Sequence, residues 1–247
     1  MNKILISSLA SIALLSQVAN AQTKVGNAGV ITGTVGVASQ YISKGLDSNR
    51  DYPSASLTGE FASNTDVQLI LGAALFYARP DKPVASGGGY DYELDYNIGL
   101  RKTFDKVTFD IGYSWFTYPQ AESRLNLDSG QFYAKAVLAA TKSTSFSIYY
   151  EQDDTDGTRP GSTANPTGLT SDKYFELGLS HNFGPASLNV YYGDWADNIS
   201  FYKLGLSKEF MGLNFTADYI KQDRSRQTWN SNFKDEEFFV VGASKSF

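Results

Sequence analysis

Along most of its length this chain alternates apolar and polar residues with a period of two, in segments of about ten residues, and it contains no run of the ~20 apolar residues that a membrane-spanning helix requires. The segment beginning at Tyr92 shows the pattern in nearly strict form. Tyr92, Leu94, Tyr96, Ile98 and Leu100 alternate with Glu93, Asp95, Asn97 and, one step on, Arg101. A helix would scatter these two sets around its circumference, whereas a strand sends them to opposite faces. About ten residues is also the length a tilted strand needs to cross the hydrocarbon of a bilayer.

The same phase can be followed through the chain. Ile31, Val35 and Val37 oppose Thr32, Thr34, Gly36 and Gln40 in a segment from about Val30 to Tyr41; Ala55, Leu57 and Phe61 then oppose Ser54, Ser56, Thr58 and Glu60. After Val67 to Tyr77 and Tyr92 to Leu100 comes Val107 to Trp115, with Thr108, Asp110 and Ser114 on the polar side. The next segment is assigned with Phe132, Ala134, Ala136 and Leu138 outward. That choice keeps Lys135 off the lipid, where a cation at mid-depth would cost about 2–4 kcal/mol. The remaining segments centre on Phe146 to Tyr150, Phe175 to Leu179, Leu188 to Tyr192, Tyr202 to Leu206, Leu213 to Tyr219 and Phe239 to Phe247. They bring the count to about twelve, an even number as single-chain bacterial barrels require.

Connections alternate in length. Short turn-forming ones occur at Ser63-Asn64-Thr65, Phe104-Asp105, Thr141-Lys142-Ser143, Gly184-Pro185 and Met211-Gly212, while long polar ones follow Ser43, Ala78, Gln120, Asp153 and Lys221, with a shorter one after Asp194. On the lipid-facing phase the loop ends carry Tyr41, Tyr77, Tyr92, Trp115, Tyr150, Tyr192, Tyr202 and Tyr219, and the turn ends carry Phe61, Phe104, Phe146, Phe183, Phe210 and Phe247. Two aromatic girdles are the mark of a membrane barrel. A soluble sandwich or lipocalin-like barrel would place its apolar face inside, where so many aromatics have no core to receive them. The expected fold is all-β: a transmembrane antiparallel β-barrel of about 12 strands, an up-and-down meander with both termini periplasmic.

The two ends of the sequence fit that expectation. Lys3, the apolar run Ile4 to Leu15 and Ala19-Asn20-Ala21 form a cleavable signal pattern, which predicts residues 1–21 as a signal peptide and residues 22–247 as a single barrel domain beginning at Gln22. The last strand reads Phe239, Val241, Ala243, Lys245 and Phe247 on one face, with Gly242, Ser244 and Ser246 on the other. It resembles the closing strand of bacterial outer-membrane barrels, in which the terminal aromatic is the signal read by the barrel assembly machinery. Phe247 is assigned that role.

Composition narrows the function. Of the 21 basic residues the predicted leader removes Lys3, leaving 20 against 26 acidic residues and a net charge of −6. Nucleic acid is not an expected partner of an acidic chain. There is no cysteine, so disulfides, thiol chemistry and cysteine metal sites are excluded; no metal or cofactor is expected.

Ser39-Gln40-Tyr41-Ile42-Ser43-Lys44-Gly45, Gly59-Glu60-Phe61-Ala62-Ser63-Asn64-Thr65-Asp66, Tyr118-Pro119 and the closing Val241-Gly242-Ala243-Ser244-Lys245-Ser246-Phe247 resemble the TorF-type porin family, proteobacterial outer-membrane proteins of unassigned function. The resemblance spans the mature chain and departs from the family's pattern in two places, with Lys44 where an Arg is usual and Phe61 where a Trp is common. It implies an outer-membrane channel of unassigned substrate in a Gram-negative bacterium.

The polar phase carries Glu60, Glu93, Asp95, Asp110, Glu151, Glu176, Glu209 and Asp218 against Arg101, Lys135 and Lys203. These are the candidate pore-lining residues. Their acidic excess favours cations, and twelve strands, between the filled eight and the open sixteen, predict a narrow passage for ions and small hydrophilic solutes. Two alternatives remain open: the same charges form a paired, non-conducting plug in a structural or adhesive barrel, or the loop mouth carries a hydrolase site. The hydrolase has little to draw on. His181, the one histidine, falls on the outward phase beside Phe183 and reads as an interfacial anchor, so no catalytic residue is assigned. Asp153, Asp154, Asp156 and Asp194 could converge at the loop mouth, but acidic loop residues are ordinarily solvated. Gln152 to Gly157 matches only half a calcium loop, and Gly87-Gly88-Gly89 lacks the helix a phosphate cradle needs. Loop cations Arg79, Lys82, Arg124, Arg159, Arg224 and Arg226 are placed to meet lipopolysaccharide phosphates, which with the surrounding lipid makes the outer leaflet an expected partner.

Overall fold

A computed structural model describes residues 22–44, 46–47, 53–78, 92–119, 129–153, 173–195, 199–223 and 235–247. The leader expected at residues 1–21 and the tips of the long loops, including the calcium-like segment beyond Asp153, the glycine run and the six loop cations, lie outside the described residues. Among the described residues there are fifteen strands: β1 (Gln22–Val25), β2 (Gly29–Ala38), β3 (Ile42–Ser43), β4 (Leu46–Asp47), β5 (Ser54–Ser63), β6 (Gln68–Ala78), β7 (Tyr92–Phe104), β8 (Val107–Thr117), β9 (Ser129–Ala139), β10 (Thr144–Asp153), β11 (Lys173–Asn182), β12 (Ser187–Trp195), β13 (Ile199–Phe210), β14 (Leu213–Asp223) and β15 (Glu236–Ser246). Twelve of them, β2 and β5 to β15, make a closed antiparallel barrel in meander order, with β15 returning to β2.

Local sequence sets the tight ends. At β13–β14 the loop residues Met211 and Gly212 both take positive φ, 53° and 74°, between the partners Phe210 and Leu213; this is the primed turn whose twist matches the strands. At β9–β10 the Thr141 hydroxyl accepts from the backbone N–H groups of Ser143 and Thr144 at 3.1 and 3.0 Å, a side-chain-closed turn. Five such connections lie at one end, the turn end; the strand ends that the long connections join, and the β3–β4 hairpin, lie at the other, the loop end.

Alternation orients every wall residue. Val37, Leu57, Leu71, Ile98, Ile111 and Leu204 stand exposed on the outer face, and each outward-facing charge lies within three residues of an end of its strand, among them the Lys102–Asp66 pair near the turns and the Lys221–Glu237 pair, 3.2 Å, near the loops. The middle band is therefore apolar. Lys135 points inward, as the cost of burying it in lipid requires. Both aromatic girdles stand on the outer face with one exception. Tyr41 was expected among the outward loop-end tyrosines and instead turns into the barrel mouth, where it is buried.

The seam has a feature not expected from the sequence. β15 pairs with β2 only from Gly242↔Ala38 to Ser246↔Thr34, after which Phe247 and Gly33 exchange two backbone hydrogen bonds of 2.9 Å. Below that point β1 takes over the same edge of β2, from Gln22↔Thr32 to Val25↔Gly29. The aromatic ring of Phe247 lies across Gly33, where a Cβ would come within 2.5 Å of it. A side chain at this position would push the ring off the backbone of β2.

Candidate functional site

Inside the barrel the residues nearest the loop end are assembled by the segment that follows β2. Instead of rising clear of the wall as an outer loop, this segment folds across the mouth. Tyr41 stacks on Phe76 of β6, ring centroids 5.5 Å apart at 22°, and its hydroxyl donates to Glu93 Oε1 at 3.4 Å. Ile42 packs on an apolar cluster in the opposite wall. Between β3 and β4, Lys44 takes a φ of 49°, which turns the short hairpin. Its ammonium group pairs with Glu151 of β10 and lies 3.5 Å from Gln131 Oε1 of β9. It also sits 5.1 Å from the Tyr174 ring centre and 5.0 Å from that of Trp195, and the Trp195 indole N–H donates to the Lys44 carbonyl at 3.3 Å.

The wall that receives Lys44 is aromatic. Tyr133, Tyr149, Tyr174, Trp195 and Phe201 come from five consecutive strands, β9 to β13, and succeed one another at centroid distances of 6.3, 6.1 and 5.1 Å, with Phe201 parallel to Tyr174 at 6.5 Å and 7°. Gly193 makes the crowding possible, since a Cβ there would meet the Phe201 ring at 2.2 Å and the Tyr174 hydroxyl at 2.8 Å. The tyrosines also present hydroxyls to carboxylates: Tyr149 donates to Glu151 Oε2 at 2.6 Å, Tyr174 to Glu176 Oε2 at 2.8 Å and Tyr133 to Asp110 Oδ1 at 3.0 Å. Aromatic rings and acids thus form one surface.

All eleven residues predicted to line the interior lie on the inward phase of their strands. Arg101 grips two carboxylates at once, Glu60 at 2.8 and 3.1 Å and Asp110 at 2.8 Å. Lys203 pairs with Asp218 at 3.3 Å. Glu93, Asp95 and Glu151 are buried, and Glu209 is exposed at the turn end. Lys135, Glu176, Lys203 and Asp218 share with Lys44, Tyr149 and Tyr191 the lining of a cavity of about 260 Å³. A second, of about 240 Å³, is bounded by Glu60, Gln68 and Arg101 towards the turns. The described interior thus holds small chambers in which charged and hydroxylated side chains alternate with aromatic and aliphatic ones, and several of the charges are cross-linked.

Of the residues considered for hydrolysis, the two whose side chains are described, His181 and Asp194, stand at opposite ends of the barrel wall. His181 Nδ1 is 2.8 Å from the Thr144 hydroxyl, and its ring packs edge-on against Phe183 at 4.4 Å, on the outer face at the turn end. Asp194 accepts from Tyr192 at 2.8 Å; the side chain of Asp153 and both Asp154 and Asp156 lie outside the described residues.

Sequence reasoning missed Lys44 and the aromatic wall. Tyr41 and Ile42, two apolar residues at the root of a polar loop, are the local sign that this loop turns inward. The spacings Tyr149-x-Glu151 and Tyr174-x-Glu176 put aromatics on the same phase as acids and so inside the barrel.

No protein-family model matches the chain, and no curated protein matches it, so the TorF-type resemblance rests on its motifs. Among solved structures the barrel is similar to one described as KdgM porin, with a TM-score of 0.54 at 10% identity over 87% of this chain and 99% of that one. It is also similar to a NanC porin structure, with a TM-score of 0.51 at 11% identity over 87% and 98% of the respective chains. At this identity the likeness is one of fold: this chain has the closed barrel of those two porins.

Proposed function

We propose that the protein is a porin-like channel of the Gram-negative outer membrane, a narrow and weakly cation-selective passage for ions and small hydrophilic solutes. The observation that carries this reading is a closed twelve-strand barrel, apolar outside, whose interior is lined by charged and hydroxylated side chains around cavities of about 260 and 240 Å³. An apolar exterior requires lipid as its surroundings. The long connections then face outward towards lipopolysaccharide and the turns and both termini face the periplasm, with residues 1–21 removed on export and Phe247 read by the barrel assembly machinery. Lys44 added to the eleven residues assigned to the lining from the sequence gives eight acids against four bases, so that set still carries an acidic excess. No catalytic role is assigned to any residue.

One specific observation favours a second reading. The Lys44–Glu151, Arg101–Glu60–Asp110 and Lys203–Asp218 pairs cross-link the interior and would suit a structural barrel that passes no current. Planar-bilayer recording separates the two. The channel reading expects discrete conductance steps with cation preference, and expects Glu93→Gln together with Asp95→Asn to lower that preference most at low salt, since at 1 M screening confines charge effects to about 3 Å. Absence of current at every salt concentration selects the structural reading; unchanged selectivity in the double variant removes the role given to the β7 carboxylates.

A further inference from the structure

The Lys44 ammonium sits in surroundings that recognise an alkylammonium ion in general. A carboxylate that is fully buried, Glu151, supplies the counter-charge and is itself steadied by the Tyr149 hydroxyl at 2.6 Å. Two aromatic faces, Tyr174 and Trp195, flank the cation at 5.1 and 5.0 Å, within the range at which a ring quadrupole attracts it. Gln131, also buried, offers an amide oxygen at 3.5 Å. These four side chains belong to the barrel wall, on β9 to β12, whereas the lysine arrives on a short hairpin from the far side of the mouth. The pocket is therefore built by one part of the protein and filled by another.

We propose that this pocket is an ammonium-binding subsite of the lumen, occupied in cis by Lys44 and taken by the primary ammonium group of a small organic cation when the hairpin withdraws. The tethered lysine acts as an internal competitor. Its effective concentration is in the millimolar range expected for a short intramolecular link, so a solute displaces it only where its local concentration is comparable or where it makes further contacts in the cavity of about 260 Å³ that Lys44, Tyr149 and Tyr174 help to line. Primary amines fit better than quaternary ones, because Glu151 and Gln131 accept hydrogen bonds that a quaternary nitrogen cannot donate. The role as a subsite for a passing solute rests on the channel reading; the binding itself does not.

The test uses the whole barrel in detergent micelles, with n-butylammonium as the probe and sodium at equal ionic strength as the control. Lys44→Ala vacates the pocket. The expected result is a saturable rise in the thermal midpoint of Lys44→Ala with n-butylammonium and none with sodium or tetraethylammonium, a response weakened about tenfold or more in Lys44→Ala/Glu151→Gln, and a response in the wild type only at concentrations high enough to compete with the tether. If Lys44→Ala refolds only when n-butylammonium is present, that rescue supports the site equally. The proposal is overturned if n-butylammonium and sodium act alike on Lys44→Ala, or if the variant fails to refold with either, since Lys44 is then a structural lock whose pocket has no existence without it. Current measured separately in bilayers keeps the two readings apart: binding without conduction retains the site and removes the channel, and conduction without binding does the reverse.

Discussion

Lys44, carried by the hairpin that follows β2, pairs with Glu151 on β10, the strand six places away around a ring of twelve and hence on the opposite wall. The contact spans the mouth. Both side chains are almost completely buried, at 3% and 1% exposure, so each charge depends on the other for compensation.

Breaking that pair from one side is expected to cost about 3–5 kcal/mol, because a buried charge is left without its partner. Lys44→Met should lower the unfolding midpoint in detergent and raise single-channel conductance by freeing the mouth. The double variant Lys44→Met/Glu151→Leu should recover most of the stability, since replacing both charges by apolar groups is often neutral, while keeping the higher conductance. A double variant no more stable than either single one would show that the coupling does not run through this pair.

Arg101 engages Glu60 and Asp110 together because a guanidinium is a planar fork with donors on two edges. Lysine has the charge without the fork. Arg101→Lys is expected to lose about 1–3 kcal/mol in denaturant unfolding, and because one carboxylate is then left without its cation, to increase cation preference in the bilayer. Stability equal to the wild type would mean that a point charge suffices there.

Gly33 and Phe247 close the barrel. Gly33→Val puts a branched side chain where a Cβ alone would meet the Phe247 ring at 2.5 Å, and deletion of Phe247 removes two backbone hydrogen bonds as well as the ring. Either change should reduce the folded, heat-modifiable form in outer-membrane fractions by more than the ~1.5–3 kcal/mol value of one buried aromatic implies. Wild-type levels after deletion of Phe247 would remove the assembly role assigned to it.

Orientation can be read by labelling. Cysteines placed at the exposed loop-end positions Pro53 and Pro119 should react with a membrane-impermeant maleimide on intact cells, and cysteines at the turn positions Ser143 and Met211 should not. The opposite pattern would mean that the barrel is inserted the other way up.

Much of this architecture was legible because a strand's two faces have opposite chemistry: Glu93, Asp95 and Arg101 could be placed inside from parity alone, and Lys135 from the cost of the alternative. Parity ends where a strand ends. Tyr41 and Lys44 lie just past β2, where the backbone is free to turn in either direction, and their placement is decided by partners more than 50 residues away along the chain, Glu93 and Glu151. The aromatic wall was hidden for a different reason. Outward aromatics are expected in a membrane barrel, so Tyr149 and Tyr174 were overshadowed by Tyr150 and Phe175, whose opposite parity fits the girdle. β1 is too short for its alternation to register.

The lapped seam has one more consequence. Phe247 lies opposite Gly33 of β2 and Gln22 opposite the next residue, Thr32, with β15 and β1 both antiparallel to β2. The finish and the start of the wall therefore run on in a single line, head to tail, as if one strand had been cut. In a chain made without residues 1–21, a peptide bond from Phe247 to Gln22 would give a closed loop, and new termini could then be opened at a tight turn such as Met211-Gly212. Such a circular permutant should retain every rung of the barrel, its beginning and end having moved while the wall stays whole.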